Sequence, residues 1–185
     1  MFRLTTTCAQ FRRFNLVFIV TFLVLACLSF AQTPITLSAS TFSPLVGNWA
    51  GSLKLVDTED DSTLVVRDAE WQIAANDSGV TLVESVAKLF GLTSDDKTTA
   101  LCVTRDGKKL WMDGKWWHVS AARETPAGTT MVFEGPAQDN ARSAHVRNAL
   151  YIGVADSVTL TRYVTYDGGG REFVRHQYRM GRTRE

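Results

Sequence analysis

The chain has 185 residues, with 20 Lys and Arg against 19 Asp and Glu and a formal net charge of +1. Residues 1–31 hold three arginines and no acidic residue, so without them the charge falls from +1 to −2. Neither balance gives an electrostatic reason to expect nucleic acid or an anionic membrane surface as partner.

The N-terminus reads as a secretory signal. Arg3, Arg12 and Arg13 form a basic start, and Phe14 to Phe30 is an uncharged apolar run. Ser29-Phe30-Ala31 puts small residues at the −3 and −1 positions of a cleavage site, with Gln32 as the new terminus. Leu23-Val24-Leu25-Ala26-Cys27 also approaches a bacterial lipobox, in which Cys27 would carry a lipid anchor. Val24 and Leu25 match that motif imperfectly, so ordinary cleavage is preferred. A retained span comes third, because the run is short against the roughly 20 residues that a bilayer needs. The expectation is an exported protein, periplasmic or secreted, with a membrane-anchored lipoprotein as the alternative and no membrane span after processing.

Removal of the signal leaves 154 of the 185 residues, the size of one domain. A Thr/Ser/Pro-rich tether is expected over 32–43, a folded domain over 44–182 and a tail over 183–185. Of the three cysteines only Cys102 lies in the folded part, which rules out an intrachain disulfide and a cysteine-rich metal framework. Cys102 sits in a strand-like run and reads as a buried thiol.

Short runs rich in Val, Leu, Thr, Trp and Tyr follow, without any long helical period. The first is clean: Leu45, Gly47, Trp49, Gly51, Leu53 and Leu55 alternate with Val46, Asn48, Ala50, Ser52 and Lys54. A period of two marks a half-buried strand. Strands are predicted at 45–56, 63–75, 79–87, 98–105, 108–113, 115–121, 129–134, 142–153, 157–166 and 171–181. Asp106-Gly107, Asp113-Gly114 and Asp167-Gly168-Gly169-Gly170 mark tight hairpins, and Asn76-Asp77-Ser78-Gly79 and Pro126-Ala127-Gly128 bound others. Sequential hairpins build a meander, and closing it removes exposed edges. The predicted fold is all-β, an antiparallel up-and-down β-barrel of about 8–10 strands. Two connections stand apart. Asp57-Thr58-Glu59-Asp60-Asp61 reads as a solvated acidic loop, and Ala87-Lys88-Leu89-Phe90-Gly91-Leu92 as a short plug in preference to a lid.

Alternation in the last strands groups Val146, Asn148, Leu150 and Ile152; then Val158, Leu160, Arg162, Val164 and Tyr166; then Val174, His176, Tyr178 and Met180. Inward-facing, these strands put Asn148, Arg162, His176 and Tyr178 on the interior, and Glu84 joins them from the face of Val80, Leu82 and Val86. A buried guanidinium requires a carboxylate or a ligand anion. One reading has Arg162 and Tyr178 hold the acidic head of an apolar guest enclosed by Trp71, Trp117, Phe133 and Leu160. The structural alternative pairs Arg162 with Glu84 or Glu134, or sends it to solvent. The same duality applies to His176. Trp117 is expected in the core, and Trp116 on a partly covered outer site. His118, His145 and His176 are scattered singly, so no metal trio is expected. Nucleophile-elbow, phosphate-loop and zinc-protease motifs do not occur, so no catalytic residue and no cofactor are assigned. The closing Arg175, Arg179, Arg182 and Arg184 read as a solvated basic edge.

Leu45-Val46-Gly47-Asn48-Trp49-Ala50-Gly51 resembles the Gly-x-Trp opening of lipocalin-like (calycin) barrels. Trp117-His118-Val119-Ser120, Val132-Phe133-Glu134-Gly135, Val146-Arg147-Asn148-Ala149-Leu150 and Phe173-Val174-Arg175-His176-Gln177-Tyr178 extend the resemblance to a group of small exported bacterial lipocalin-like proteins without established activity. The resemblance implies that Gly47 and Trp49 close one end of the barrel and that an arginine packs across the indole. Arg175, Arg179 and Arg182 are the candidates. It also implies at most a pocket for a small apolar molecule. Three functions are therefore expected in order: an envelope protein that binds a small hydrophobic or amphipathic ligand; a solid-core module that assembles with other proteins through its surface; and, last, an enzyme that would need Arg162, His176 and Tyr178 to meet Glu84 or Glu134.

Overall fold

Alternation sets the strands of this chain, and its turn residues set their order. The computed structural model describes residues 33–56, 64–87 and 95–183. The signal, the lipobox, the acidic loop and residues 88–92 of the apolar connection lie outside them. Ten strands are β1 (Gly47–Val56), β2 (Leu64–Asn76), β3 (Gly79–Val86), β4 (Asp95–Val103), β5 (Lys109–Met112), β6 (Lys115–Thr125), β7 (Gly128–Asp139), β8 (Arg142–Gly153), β9 (Ser157–Tyr166) and β10 (Phe173–Arg182). Each pairs antiparallel with its neighbour in sequence, and β10 pairs with β1 through the register Met180↔Gly51. The result is a closed ten-stranded meander, so every strand has two partners.

The interior follows the predicted alternation. Ala69, Trp71 and Ile73 on β2 are buried, whereas Asp68, Glu70 and Gln72 between them are exposed. Trp49, Leu53, Trp71, Leu110, Trp117, Phe133 and Leu150 belong to one apolar core. Strands β6 and β7 run past their predicted ends at 121 and 134. A bulge between Val119 and Ala121 shifts their register, so the side-chain period breaks while the pairing continues.

Gly47 and Trp49 sit at one end of the barrel, with a short 3₁₀ helix (Ala39–Leu45) before them. Phe42 and Leu45 of that helix, and Leu37 ahead of it, are fully buried. The segment expected as a tether is thus folded onto the barrel: the Ile35 N–H donates to the Ala122 carbonyl of β6 at 3.1 Å, and those three side chains complete the core. Leu45 also supplies the carbonyl that accepts from Trp49 Nε1 at 2.7 Å. Of the three candidate arginines, Arg182 lies across the indole, its guanidinium 4.3 Å from the Trp49 ring. Its nitrogens reach Asp156 Oδ1 at 2.8 Å, the Val46 carbonyl at 2.7 Å and the Pro44 carbonyl at 2.6 Å.

Strand β10 corrects two expectations. A bulge opposite Arg162/Tyr163 turns Arg175 inward, to 5 % exposure, and leaves Val174 at 40 %. Arg175 meets Asp139 and the Tyr166 hydroxyl, so its charge is neutralised inside the barrel. The basic C-terminal run is therefore neither an edge strand nor wholly solvated.

Candidate functional site

Beyond the Trp49 end, the barrel interior is not filled. A cavity of about 70 Å³ lies among β2, β3, β4, β5, β8, β9 and β10. Its floor is apolar, made by Leu45, Ile73, Leu82, Leu101, Leu150 and Leu160, with Met112 and Trp71 beside them. Its rim is polar: Glu84, Lys97, Thr99, Asp113, Arg162, His176 and Tyr178. The cavity is small because large inward side chains from β2, β5 and β10 project into the interior; the Trp71 and Tyr178 rings alone meet at 5.0 Å.

Asp113 organises the rim. Asp113 and Gly114 both have positive φ, 52° and 78°, as the two-residue hairpin between β5 and β6 requires. Lys97 Nζ donates to Asp113 Oδ1 at 2.6 Å, and Arg162 Nη2 donates to Oδ2 at 2.5 Å. Arg162 Nε donates in turn to Asn148 Oδ1 at 2.9 Å. Burial pushes the Asp113 carboxyl up, but the Lys97 hydrogen bond and the Arg162 charge overcome it and hold the group below the usual carboxylate range.

Glu84 is different. It faces Lys97 directly across the β3–β4 ladder, yet its hydrogen-bond partner is the Tyr178 hydroxyl, which donates to Oε1. Burial raises the Glu84 carboxyl above its ordinary value, and the phenol and Lys97 offset only part of that. Burial and the neighbouring Glu84 charge raise the Tyr178 hydroxyl as well. Burial, with the Arg162 charge close by, pushes the His176 imidazole down to about 3, so the ring is neutral near neutral pH. It stacks edge-on against Tyr178 with centroids 5.5 Å apart.

Of the residues singled out by sequence, Arg162, Tyr178, His176 and Trp71 line the cavity together with Glu84. Asn148, fully buried, stands behind Arg162 as its hydrogen-bond acceptor. Trp117 lies beneath the guanidinium, 5.8 Å from it, and donates to the Met112 carbonyl at 3.0 Å; it supports the rim and does not line the cavity. Phe133 packs edge-on against Trp117 and also stands outside the cavity lining. Glu134 is no partner of Arg162; it faces His145 on the outer surface at 3.4 Å. Gly47 and Trp49 hold the far end. Sequence reasoning missed Lys97 and Asp113. It also missed Arg67, which shares the inward face of Ala69 and Trp71 and whose Nε is buried without a hydrogen-bond partner. Among the described residues no group of His, Cys, Asp and Glu could hold a metal ion.

Chemically the site offers two cations bridged by one carboxylate, a second carboxyl held by a phenol, and a neutral imidazole, all above an apolar floor. Such a set can orient a polar head and hold a proton. Compared with family models, curated proteins and solved structures, the chain matches none.

Proposed function

We propose that this is an exported, non-enzymatic envelope protein whose barrel binds a compact amphipathic molecule. The observation that carries the reading is the division of one partly open cavity into an apolar floor and a polar, partly charged rim. Its volume of about 70 Å³ corresponds to roughly five to seven water-sized positions at about 10–15 Å³ each. A guest of a few heavy atoms suits it; a long acyl chain does not. Gly47, Trp49 and the Arg182 guanidinium stacked on the indole support kinship with lipocalin-like barrels. The exposed Asp68, Glu70 and Gln72 on β2 support a barrel that faces water with its outer side. Export rests on the signal-like start of the chain, with cleavage after Ala31 or lipid attachment at Cys27.

The test is native mass spectrometry of the protein gently extracted from its own cells. An adduct of low mass is expected, and Leu160→Trp, which fills the floor, removes it. Bare protein in both cases contradicts the proposal.

A second reading, a surface-acting assembly module, is favoured by the outer face of the β5–β6 hairpin. There Trp116 is 46 % exposed and meets Trp111 edge-on at 5.4 Å. In-cell cross-linking that captures a partner with wild type and loses it with Trp116→Ala would support that reading over the first.

A further inference from the structure

Opposite charges on facing strand positions usually pair, and Glu84 and Lys97 are such neighbours on β3 and β4. They do not pair here. The Lys97 ammonium is taken by Asp113 at 2.6 Å, and the other Asp113 oxygen is taken by Arg162 at 2.5 Å. Glu84 is left facing a neutral phenol on β10.

The groups around Glu84 come from every wall of the cavity. Lys97 projects from β4, Asp113 from the β5–β6 hairpin, Arg162 from β9, and His176 and Tyr178 from β10; Trp71 is its cross-strand neighbour on β2. With His176 and Tyr178 neutral, two cations face Asp113 and Glu84. The rim is neutral when Glu84 is ionised and carries one positive charge when Glu84 is protonated. An anionic head entering the rim is attracted by Arg162 and Lys97 and repelled by an ionised Glu84. The repulsion disappears if Glu84 takes a proton, the form that burial already favours.

We infer that the cavity takes a compact apolar monoanion, of the carboxylate or sulfonate kind, together with one proton that settles on Glu84. The inference rests on the ligand-binding reading above and adds the charge of the guest and its linkage to pH. A bound anion raises the Glu84 carboxyl further. Between the free and the bound values of that carboxyl, affinity rises as pH falls, by up to about tenfold per pH unit. Above that window the affinity is low and flat; below it, high and flat.

The experiment titrates the protein with ethanesulfonate, small enough for the cavity and constant in its own charge, and with propan-1-ol, from pH 5 to pH 8. Calorimetry in buffers of different ionisation enthalpy counts protons. Sulfonate affinity is expected to increase at least about fivefold toward the acidic end, with close to one proton taken up per sulfonate and no pH trend for the alcohol. Glu84→Gln, which imitates the protonated form, is expected to bind the sulfonate tightly and without pH dependence. Tyr178→Phe removes the donor that favours ionised Glu84 and should move the window to higher pH, which keeps the test available if the first variant fails to fold. Sulfonate binding without a pH trend, or a wild-type trend that survives in Glu84→Gln, overturns the inference. So does binding of the alcohol alone, and in these three cases the cavity remains a ligand site. Binding of neither probe overturns the ligand-binding reading and the inference with it.

Discussion

Asp113 serves the backbone and the site at once. Its positive φ makes the hairpin, and its carboxylate neutralises Lys97 and Arg162. Asp113→Asn keeps a residue that tolerates the turn but leaves two inward cations facing each other. A loss of about 2 kcal/mol is expected in chemical denaturation, below the cost of breaking a fully buried pair because Asp113 is 24 % exposed. The sign with pH follows from the lowered Asp113 carboxyl. Its contribution is complete above the unfolded value of about 3.9 and disappears as pH falls through the lower folded value. Wild type and variant should therefore converge in acid. Gly47 offers a second residue-scale test. Its φ is +128°, and a Cβ there would lie 2.6 Å from Arg182 Nη1. Gly47→Ala is expected to cost about 2 kcal/mol, read as a lower melting temperature.

The same residues mark how much of the site was legible. That Arg162 needs a carboxylate follows from burial alone. That the carboxylate is Asp113 does not, since an Asp-Gly pair between two strands is already explained by its turn. Lys97 was missed because β4 begins at Asp95, three residues before the predicted strand, where Asp95-Asp96-Lys97 looks like solvated loop. Glu84 was found because it falls in step with Val80 and Leu82, an inward period that a charge interrupts.

At the scale of elements, hairpin chemistry and alternation specified nearly every strand. They failed where pairing continues through a bulge. At Ser120 the period breaks and β6 looks finished. At Arg175 the bulge inverts the faces, so Val174 is exposed and the arginine is inside. The choice among Arg175, Arg179 and Arg182 for the Trp49 partner also needed the register. Met180↔Gly51 and Arg182↔Trp49 put Arg182 beside the indole. Arg182→Ala should therefore lower stability by about 1–2 kcal/mol, through the lost cation–π contact and the two freed carbonyls. Arg179→Ala, on an exposed side chain, should stay within about 0.5 kcal/mol of wild type. Equal losses from both would remove Arg182 from its role as a clamp on the closed end.

For the whole molecule, the barrel buries a titratable group that folding keeps uncharged. The His176 ring falls to about 3 in the folded chain, against about 6.5 when unfolded. The unfolded state thus takes up a proton first as pH drops, and stability declines from about pH 6.5 toward pH 3. Glu84, raised in the fold, acts in the opposite direction and softens that decline. His176→Gln removes the first term. Its stability should fall less than that of wild type between pH 7 and pH 5, by roughly 2 kcal/mol, in parallel denaturant titrations. An identical decline in both proteins would mean that His176 is charged in the fold.

A meander that closes on itself fixes which side chains look inward, and the account of function depends on that inward set enclosing a usable space. Amide chemical-shift mapping with ethanesulfonate at pH 5.5 addresses this directly. Perturbations confined to the cavity strands, at Thr99, Leu101, Leu160, Arg162 and Tyr178, are the predicted result. Shifts centred on Trp111 and Trp116, or none at all at millimolar probe, would contradict it.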